Sequence, residues 1–477
     1  MKKILVFVVM LLALVAAVGC RKPHTSEYKV LTIDELKAAP SIEISFRVPF
    51  AEGIRNAIQD LIDSFNVEYP NVNITLDHVS GYDPMKESII QDIAGGKAPT
   101  MAVGYPDHFA EYLITESIIN LKDFMSASDP VIGYSQTEMD DFLPGYLEEN
   151  RQFARSGGYH GLPFNKSTEV MYYNVDFFET FDLEVPKTWA ELEVVSAAAY
   201  NIVAGLTDTS YAWMGKIKTN IDKGEFMTAM YDSSSNYFIT MVRQFGGEYT
   251  GQLFLEDGIV DVQRGAIKFV NNAKAKDALT YVKKLSTDKV ISIPDIWEQL
   301  YGSNMFINSQ VLLNIGSSAG ASNYSKAIAK WAVAPIPYKD ADHKYVIQQG
   351  TNVAIFSQAT DLQKLAAWLF IKHCLTPENT VYFARKTSYM PVRKSAYDLP
   401  SYTNFLTNPS PAEIGASKVH NATIEYAKEG WTYFVDPAWA GSAKVRTEVG
   451  TALAQIVVYK KDVQTAFDEA LGRIGQR

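Results

Sequence analysis

Gly161-Leu-Pro-Phe-Asn-Lys-Ser-Thr-Glu-Val-Met-Tyr-Tyr-Asn174 is the stretch on which the fold turns. Gly161 and Pro163 stop any helix running in from upstream. Asn165, Ser167, Thr168 and Glu169 then place hydrogen-bonding side chains close together. Val170, Met171, Tyr172 and Tyr173 follow as a short β-prone run, and Asn174, ahead of Val-Asp-Phe-Phe, is placed to cap a helix. A strand therefore begins in a polar patch and ends in an apolar core. An ordinary sheet strand with a capped turn accounts for the pattern. So does a strand that crosses between two lobes, apolar within the cores and polar where it passes the opening between them.

Residues 348–356 (Gln-Gln-Gly-Thr-Asn-Val-Ala-Ile-Phe) repeat the device and mark a second crossing. Upstream, residues 42–48 alternate as a strand, and residues 54–65 repeat apolar side chains at helical spacing. Residues 73–78 form a second strand, 84–93 a helix ended by Gly95-Gly96, and 101–103 a third strand. This βαβαβ order implies a parallel sheet with crossover helices. Downstream, Thr188 opens a helix over 189–204, and 273–285, 362–374, 377–383 and 441–458 also read as helices. Residues 311–315 and 332–335 read as strands. The expected architecture is α/β and two-lobed, with residues 42–167 plus 304–350 in one lobe and 168–303 plus 351–477 in the other. Ligands of open α/β sheets sit beyond the carboxyl ends of the strands, and pockets favour domain interfaces.

With 477 residues the chain exceeds the usual size of one domain, while 47% hydrophobic and 21% charged residues are ordinary for a globular protein. A net charge of −10 argues against a nucleic-acid partner, whose phosphates need a basic face. Lys2 and Lys3 precede an apolar run over residues 4–18, the pattern of a secretory signal. Ala17-Val18-Gly19-Cys20 is similar to a lipobox, in which Cys20 carries lipid and begins the mature chain; Ala17 stands where Leu is usual. The expected organisation is a signal at 1–20 and a tether at 21–41, with the chain lipid-anchored at the cell envelope and facing the periplasm or the exterior. The rival reading is an uncleaved anchor, for which the run is short. With Cys20 lipidated, Cys374 has no disulfide partner, and its apolar surroundings suit a core thiol.

Several motifs bear on chemistry. Gly316-Ser317-Ser318-Ala319-Gly320 matches G-x-S-x-G after a strand, the setting of a hydrolase nucleophile. A secreted serine hydrolase using Ser318 is therefore the alternative function. The same turn can also offer backbone N–H groups to a ligand without catalysis. The seven histidines are scattered, with no H-E-x-x-H and no Cys/His cluster, so neither a metal nor another cofactor is expected. Gly95-Gly96-Lys97-Ala98 lacks the Ser/Thr of a P-loop. Tyr82, Tyr105 and Tyr389 sit among turn or polar residues, where an aromatic face can stack on a sugar and its hydroxyl can bond one.

Leu-Pro-Phe-Asn-x-Ser-Thr-x-Val-x-Tyr-Tyr-Asn resembles the signature of family 1 extracellular solute-binding proteins, the capture subunits of bacterial ABC importers, and within them the glycerol-3-phosphate and sugar-binding types. Pro186-Lys187-Thr188-Trp189, Gly316-Ser317-Ser318 and Lys386-Thr387-Ser388-Tyr389-Met390-Pro391-Val392 agree in order and spacing, and the similarity covers about residues 42–470. The resemblance implies a type II periplasmic-binding-protein fold, no enzymatic activity, permease subunits as partners, and a sugar or glycerol-phosphate ester as ligand. It implies ligand contacts from Tyr82, Ser167, Ser317, Gly350, Tyr389 and Arg446. Arg446 would suit a phosphate through bidentate bonds; a helix-surface arginine is the other reading. The acid expected near Tyr105 is displaced, with Pro106 there and Asp107 next, and a Trp expected near residues 231–236 is absent. Tyr105 and Asp107 join the candidate site, but glycerol 3-phosphate itself is put in doubt.

Overall fold

A computed structural model describes residues 28–153, 157–207, 213–299 and 301–475. The signal segment and Cys20 lie outside the described residues. The tether expected at 21–41 is docked from Tyr28 onward. Tyr28 donates to the Asn120 carbonyl at 3.0 Å, and Leu36, in the short helix Ile33–Ala38, is fully buried.

The first lobe is built on a five-stranded sheet in the order β2-β1-β3-β13-β4. Its strands are β1 (Ile42–Val48), β2 (Val72–His78), β3 (Met101–Gly104), β4 (Leu162–Ser167) and β13 (Gln349–Ile355). The strands β1, β2 and β3 are parallel, as the βαβαβ pattern requires, and β13 runs antiparallel to both β3 and β4. Ile42, Ile44, Phe46 and Val48 point alternately inward from β1. The helix Glu52–Asn66 covers them with Ile58, Leu61, Ile62 and Phe65. Trp368 stacks on Phe124 at 5.3 Å in the same core. Cys374 is buried there without a disulfide, and burial pushes its thiol pKa up.

The second lobe has a sheet in the order β11-β5-β10-β6-β9, from β5 (Glu169–Asn174), β6 (Ala229–Tyr231), β9 (Ile291–Ser292), β10 (Leu313–Ser317) and β11 (Trp331–Ala334). Asn174 accepts from the Phe177 amide at 2.9 Å and so caps the next helix. Thr188 opens the helix Trp189–Gly205 through a capping box with Glu191. Strands β7 (Thr250–Phe254) and β8 (Val260–Ile267) make an antiparallel hairpin, and β12 (Tyr345–Ile347) pairs with β14 (Thr432–Phe434).

Both expected crossings are present, and they touch. The chain passes from β4 to β5 at Thr168, whose hydroxyl donates to the Ile347 carbonyl, beside the β12–β13 passage, at 2.8 Å. Gly350, with φ +88, lies so close to β4 that a Cβ there would collide with the Asn165 carbonyl oxygen. The expected lobe boundaries need correction. Strand β10 sits beside β5 and β6, so 304–348 packs in the second lobe, and β13 together with the helix Asp361–Cys374 packs in the first. Small-residue turns and β-prone runs look alike in either sheet, so sequence gave no means of choosing a core for each. A third passage follows, over residues 395–413, with its own cluster of Val381, Ala396, Tyr402, Phe405 and Ala416.

Candidate functional site: the interlobe cleft

A cavity of about 580 Å³ opens between the lobes, walled by Tyr82, Tyr105, Asp107 and Gly350 from the first and by Tyr249, Asp436 and Arg446 from the second. A smaller chamber of about 260 Å³ adjoins it, sharing Ser233, Asn236, Tyr301 and Gln349 as common wall. The sizes match pockets that enclose small molecules, roughly 300–1,000 Å³.

The first-lobe wall follows from strand and helix ends. Gly81, with φ +87, turns the chain into the helix Tyr82–Ala94. Tyr105 precedes the helix Pro106–Leu113, which leaves β3 at its carboxyl end. The Tyr82 and Tyr105 rings lie 5.0 Å apart, and burial raises the pKa of both hydroxyls, keeping them neutral donors. Asp107, the displaced acid, does face the cavity. His108 also lines it, and burial lowers its pKa.

Arg446 comes from the helix Ser442–Val457. Its guanidinium donates to Asp436 and to the Asn236 side-chain oxygen. Asp436 also accepts from the Tyr249 hydroxyl at 2.5 Å. Burial raises the Asp436 pKa while Arg446 pulls it down. The relay continues: Asn236 Nδ2 donates to Glu169 Oε1 at 2.9 Å, and the Tyr231 hydroxyl donates to Glu169 Oε2. Burial of Glu169 lifts its pKa to about 7, and burial of Asp232 lifts its pKa to about 6.

At the floor, Lys166 and Glu149 form a fully buried ion pair. Glu149 also accepts from Gln348 Nε2 at 2.7 Å, and Lys166 Nζ donates to the Gly350 carbonyl at 3.2 Å.

The structure brings together Tyr82, Tyr105, Asp107, Gly350 and Arg446 in the larger chamber and places Ser317 in the smaller. Ser167 and Tyr389 line neither. Ser167 is buried at the end of β4, opposite Gln349, and Tyr389 stands behind Tyr82, both rings packing against Phe50. Ser318 lines neither chamber and is fully buried. Its hydroxyl accepts from the Thr168 amide at 3.1 Å and its amide donates to the Thr168 carbonyl at 2.8 Å. That hydroxyl serves the crossing, with no nucleophile–base arrangement around it among the described residues. Sequence reading missed Asn236, Asp232, Tyr249, Tyr301 and Asp436. Residues 231–236 were legible as the place of an absent Trp, when the signal was the polar set Asp232, Ser233 and Asn236 standing there.

Two α/β lobes joined by repeated crossings around a polar cleft define a two-lobed binding protein of the periplasmic type. The family model for bacterial extracellular solute-binding proteins matches residues 60–409, and the chain belongs to that family. It is 24% identical over 469 residues to the sn-glycerol-3-phosphate-binding periplasmic protein UgpB of Pectobacterium atrosepticum, covering 95% of this chain and 96% of that one. Its fold is similar to that of UgpB from Mycobacterium tuberculosis in complex with glycerophosphocholine, with a TM-score of 0.70, 19% identity, and 91% and 98% of the two chains covered. It is also similar to the GacH receptor of Streptomyces glaucescens, solved unliganded and with acarbose, with a TM-score of 0.65, 17% identity, and 90% and 96% covered. These are binding proteins, and nothing in them supports the hydrolase alternative. Among the described residues no helix is long and apolar enough to cross a membrane.

Proposed function

We propose that this chain is the substrate-binding subunit of an ABC importer, anchored at the cell envelope by lipid on Cys20. It captures a sugar or glycerol-phosphate ester between its lobes and presents it to membrane permease subunits. The observation that carries this reading is the 580 Å³ cavity walled by polar and aromatic side chains of both lobes, which rotation about the crossings would open and close. The ligand contacts are Tyr82, Tyr105, Asp107, Gly350, Arg446 and Ser317. Ser167 and Tyr389 act from behind, by holding the crossing strand and Tyr82. A mass-spectrometric survey of small molecules that co-purify with the chain tests this directly. A hydroxylated compound bound one to one supports it, and a chain that carries none and binds none of a panel of sugars and phosphate esters overturns it. For the anchor, Cys20→Ser is expected to move the protein from the membrane to the soluble fraction. Retention of that variant in the membrane would point to a spanning segment.

A further inference from the structure

The charge of the ligand and the purpose of the smaller chamber are both written in the walls. Asp83, Asp107, Glu149, Asp436 and Arg446 are the aspartate, glutamate and arginine side chains at the larger chamber, and Glu169 and Asp232 are those at the smaller. Arg446 is engaged by Asp436 and Asn236, and Lys166, reaching Glu149 from behind, is engaged by that carboxylate. Among the described residues no Lys or Arg lines the smaller chamber; the Arg446 charge reaches Glu169 from the adjoining chamber but only partly offsets its burial. A phosphate entering there would be buried with no cation to balance it, and the ionised share of the two carboxyls would repel it.

Asp232 is built into this wall. A Cβ at Gly316 would fall 2.5 Å from Asp232 Oδ2 and one at Gly302 would fall 2.9 Å from Asp232 Oδ1, so both neighbours must be glycine for the carboxyl to lie where it does. It accepts from the Ser303 amide at 3.1 Å and from Asn314 Nδ2 at 3.2 Å. A carboxylate has about four acceptor sites, so capacity is left facing the chamber. Two backbone donors at the turn after β10 are taken. The Ser318 amide is bonded to Thr168, and the Ala319 amide donates to Ser317 Oγ at 3.2 Å.

Resting on the solute-capture reading, we propose that the smaller chamber is a subsite for an uncharged, hydroxyl-bearing end of the ligand. Glu169 and Asp232 are its specificity-determining residues, and they exclude anionic groups. The ligand then spans both chambers, with one hydroxylated unit against Tyr82, Tyr105 and Arg446 and the next donating to Glu169 and Asp232. Arg446 is the counter-ion of Asp436 rather than a phosphate clamp.

Titration calorimetry on the wild-type chain, Glu169→Gln and Asp232→Asn tests this, with a panel of mono-, di- and trisaccharides, glycerol 3-phosphate and glycerophosphocholine as probes. The wild type is expected to bind a di- or trisaccharide more tightly than glycerol 3-phosphate. Each substitution is expected to weaken that saccharide about tenfold, as loss of one buried hydrogen bond would, and to strengthen glycerol 3-phosphate. Movement in opposite directions separates selection from simple damage to the fold. Two conservative variants, each with its melting curve, guard against one failing to fold. Glycerol 3-phosphate as the tightest wild-type ligand, or both probes weakened alike by both variants, overturns the proposal and leaves solute capture standing. So does glycerophosphocholine as the tightest ligand with Glu169→Gln unchanged. Failure of every probe to bind overturns solute capture and this proposal together.

Discussion

At the crossings, Lys166, Glu149 and Gln348 form a buried charged chain tied to the Gly350 carbonyl. At the β7–β8 hairpin the same two lobes meet through the small apolar cluster of Val260, Ala110, Phe153 and Ala438. Beside that cluster, Gln252 donates to Gln152 and to the Ala438 carbonyl, and the Gly441 amide donates to Glu111 at 3.0 Å. The two joints differ in what breaking them leaves behind. Lys166 and Glu149 both lie in the first lobe, and any movement at the first joint that drew them apart would strand an ammonium and a carboxylate in a low-dielectric interior, which costs several kcal/mol. Separating surfaces at the second exposes the Phe153 ring and a few methyl groups and lets water replace the hydrogen bonds, none of which leaves a buried charge unpaired. On these costs the second joint is expected to yield before the first.

The sharpest way to break this contrast is Glu149→Gln, which leaves Lys166 without its counter-charge. A loss of about 3–5 kcal/mol is expected in chemical denaturation followed by tryptophan fluorescence. A loss of under about 1 kcal/mol would mean that the crossings are no firmer than the hairpin.

Next in size is a pH effect at Glu169, the first residue of β5. Its pKa rises to about 7 in the fold because it is buried, against an ordinary value near ~4.3 in the unfolded chain. The folded state then holds more protons than the unfolded one between those values, so stability falls as pH rises from about 4.5 to 7. The expected fall from this group is at most about 4 kcal/mol, at roughly 1.4 kcal/mol per unit. Asp232, raised to about 6, adds in the same direction at lower pH. Glu169→Gln should flatten the upper part of the profile. An unchanged slope would show that Glu169 is ionised and solvated in the fold.

The smallest effect belongs to the hairpin. Val260→Ala removes about two methylene equivalents, worth at most about 1–2 kcal/mol. That change should shift the balance between open and closed lobes, read as a larger radius of gyration in small-angle scattering, with both cores melting as before. A melting loss as large as that of Glu149→Gln would erase the distinction.

The crossings were legible because their chemistry is local. Glycine, proline and hydrogen-bonding residues next to a β-prone run announce a strand that passes a polar opening, and Asn174 and Thr188 cap the helices they were expected to cap. Lobe membership was not legible, since β10 and β13 carry similar apolar patterns and only register and sheet order distinguish them. The site divided in the same way. Tyr82, Tyr105 and Asp107 stand at helix starts that sequence can place. Asp436 and Tyr249 enter the cleft only through the pairing of distant segments with Arg446. Ser167 and Tyr389, expected from the motif to contact ligand, stand one layer behind the cavity wall, and a motif gives proximity to a site without saying which side of a strand faces it.

Capture of a solute between the lobes requires both walls of the cleft to close on it. Hydrogen exchange with mass spectrometry, on the wild-type chain with and without its tightest saccharide from the calorimetric panel, tests it most directly. Slower exchange is expected in residues 105–113 of the first lobe and 442–447 of the second together, with the crossing strands protected in both states. Protection confined to one lobe, or to neither, would contradict it.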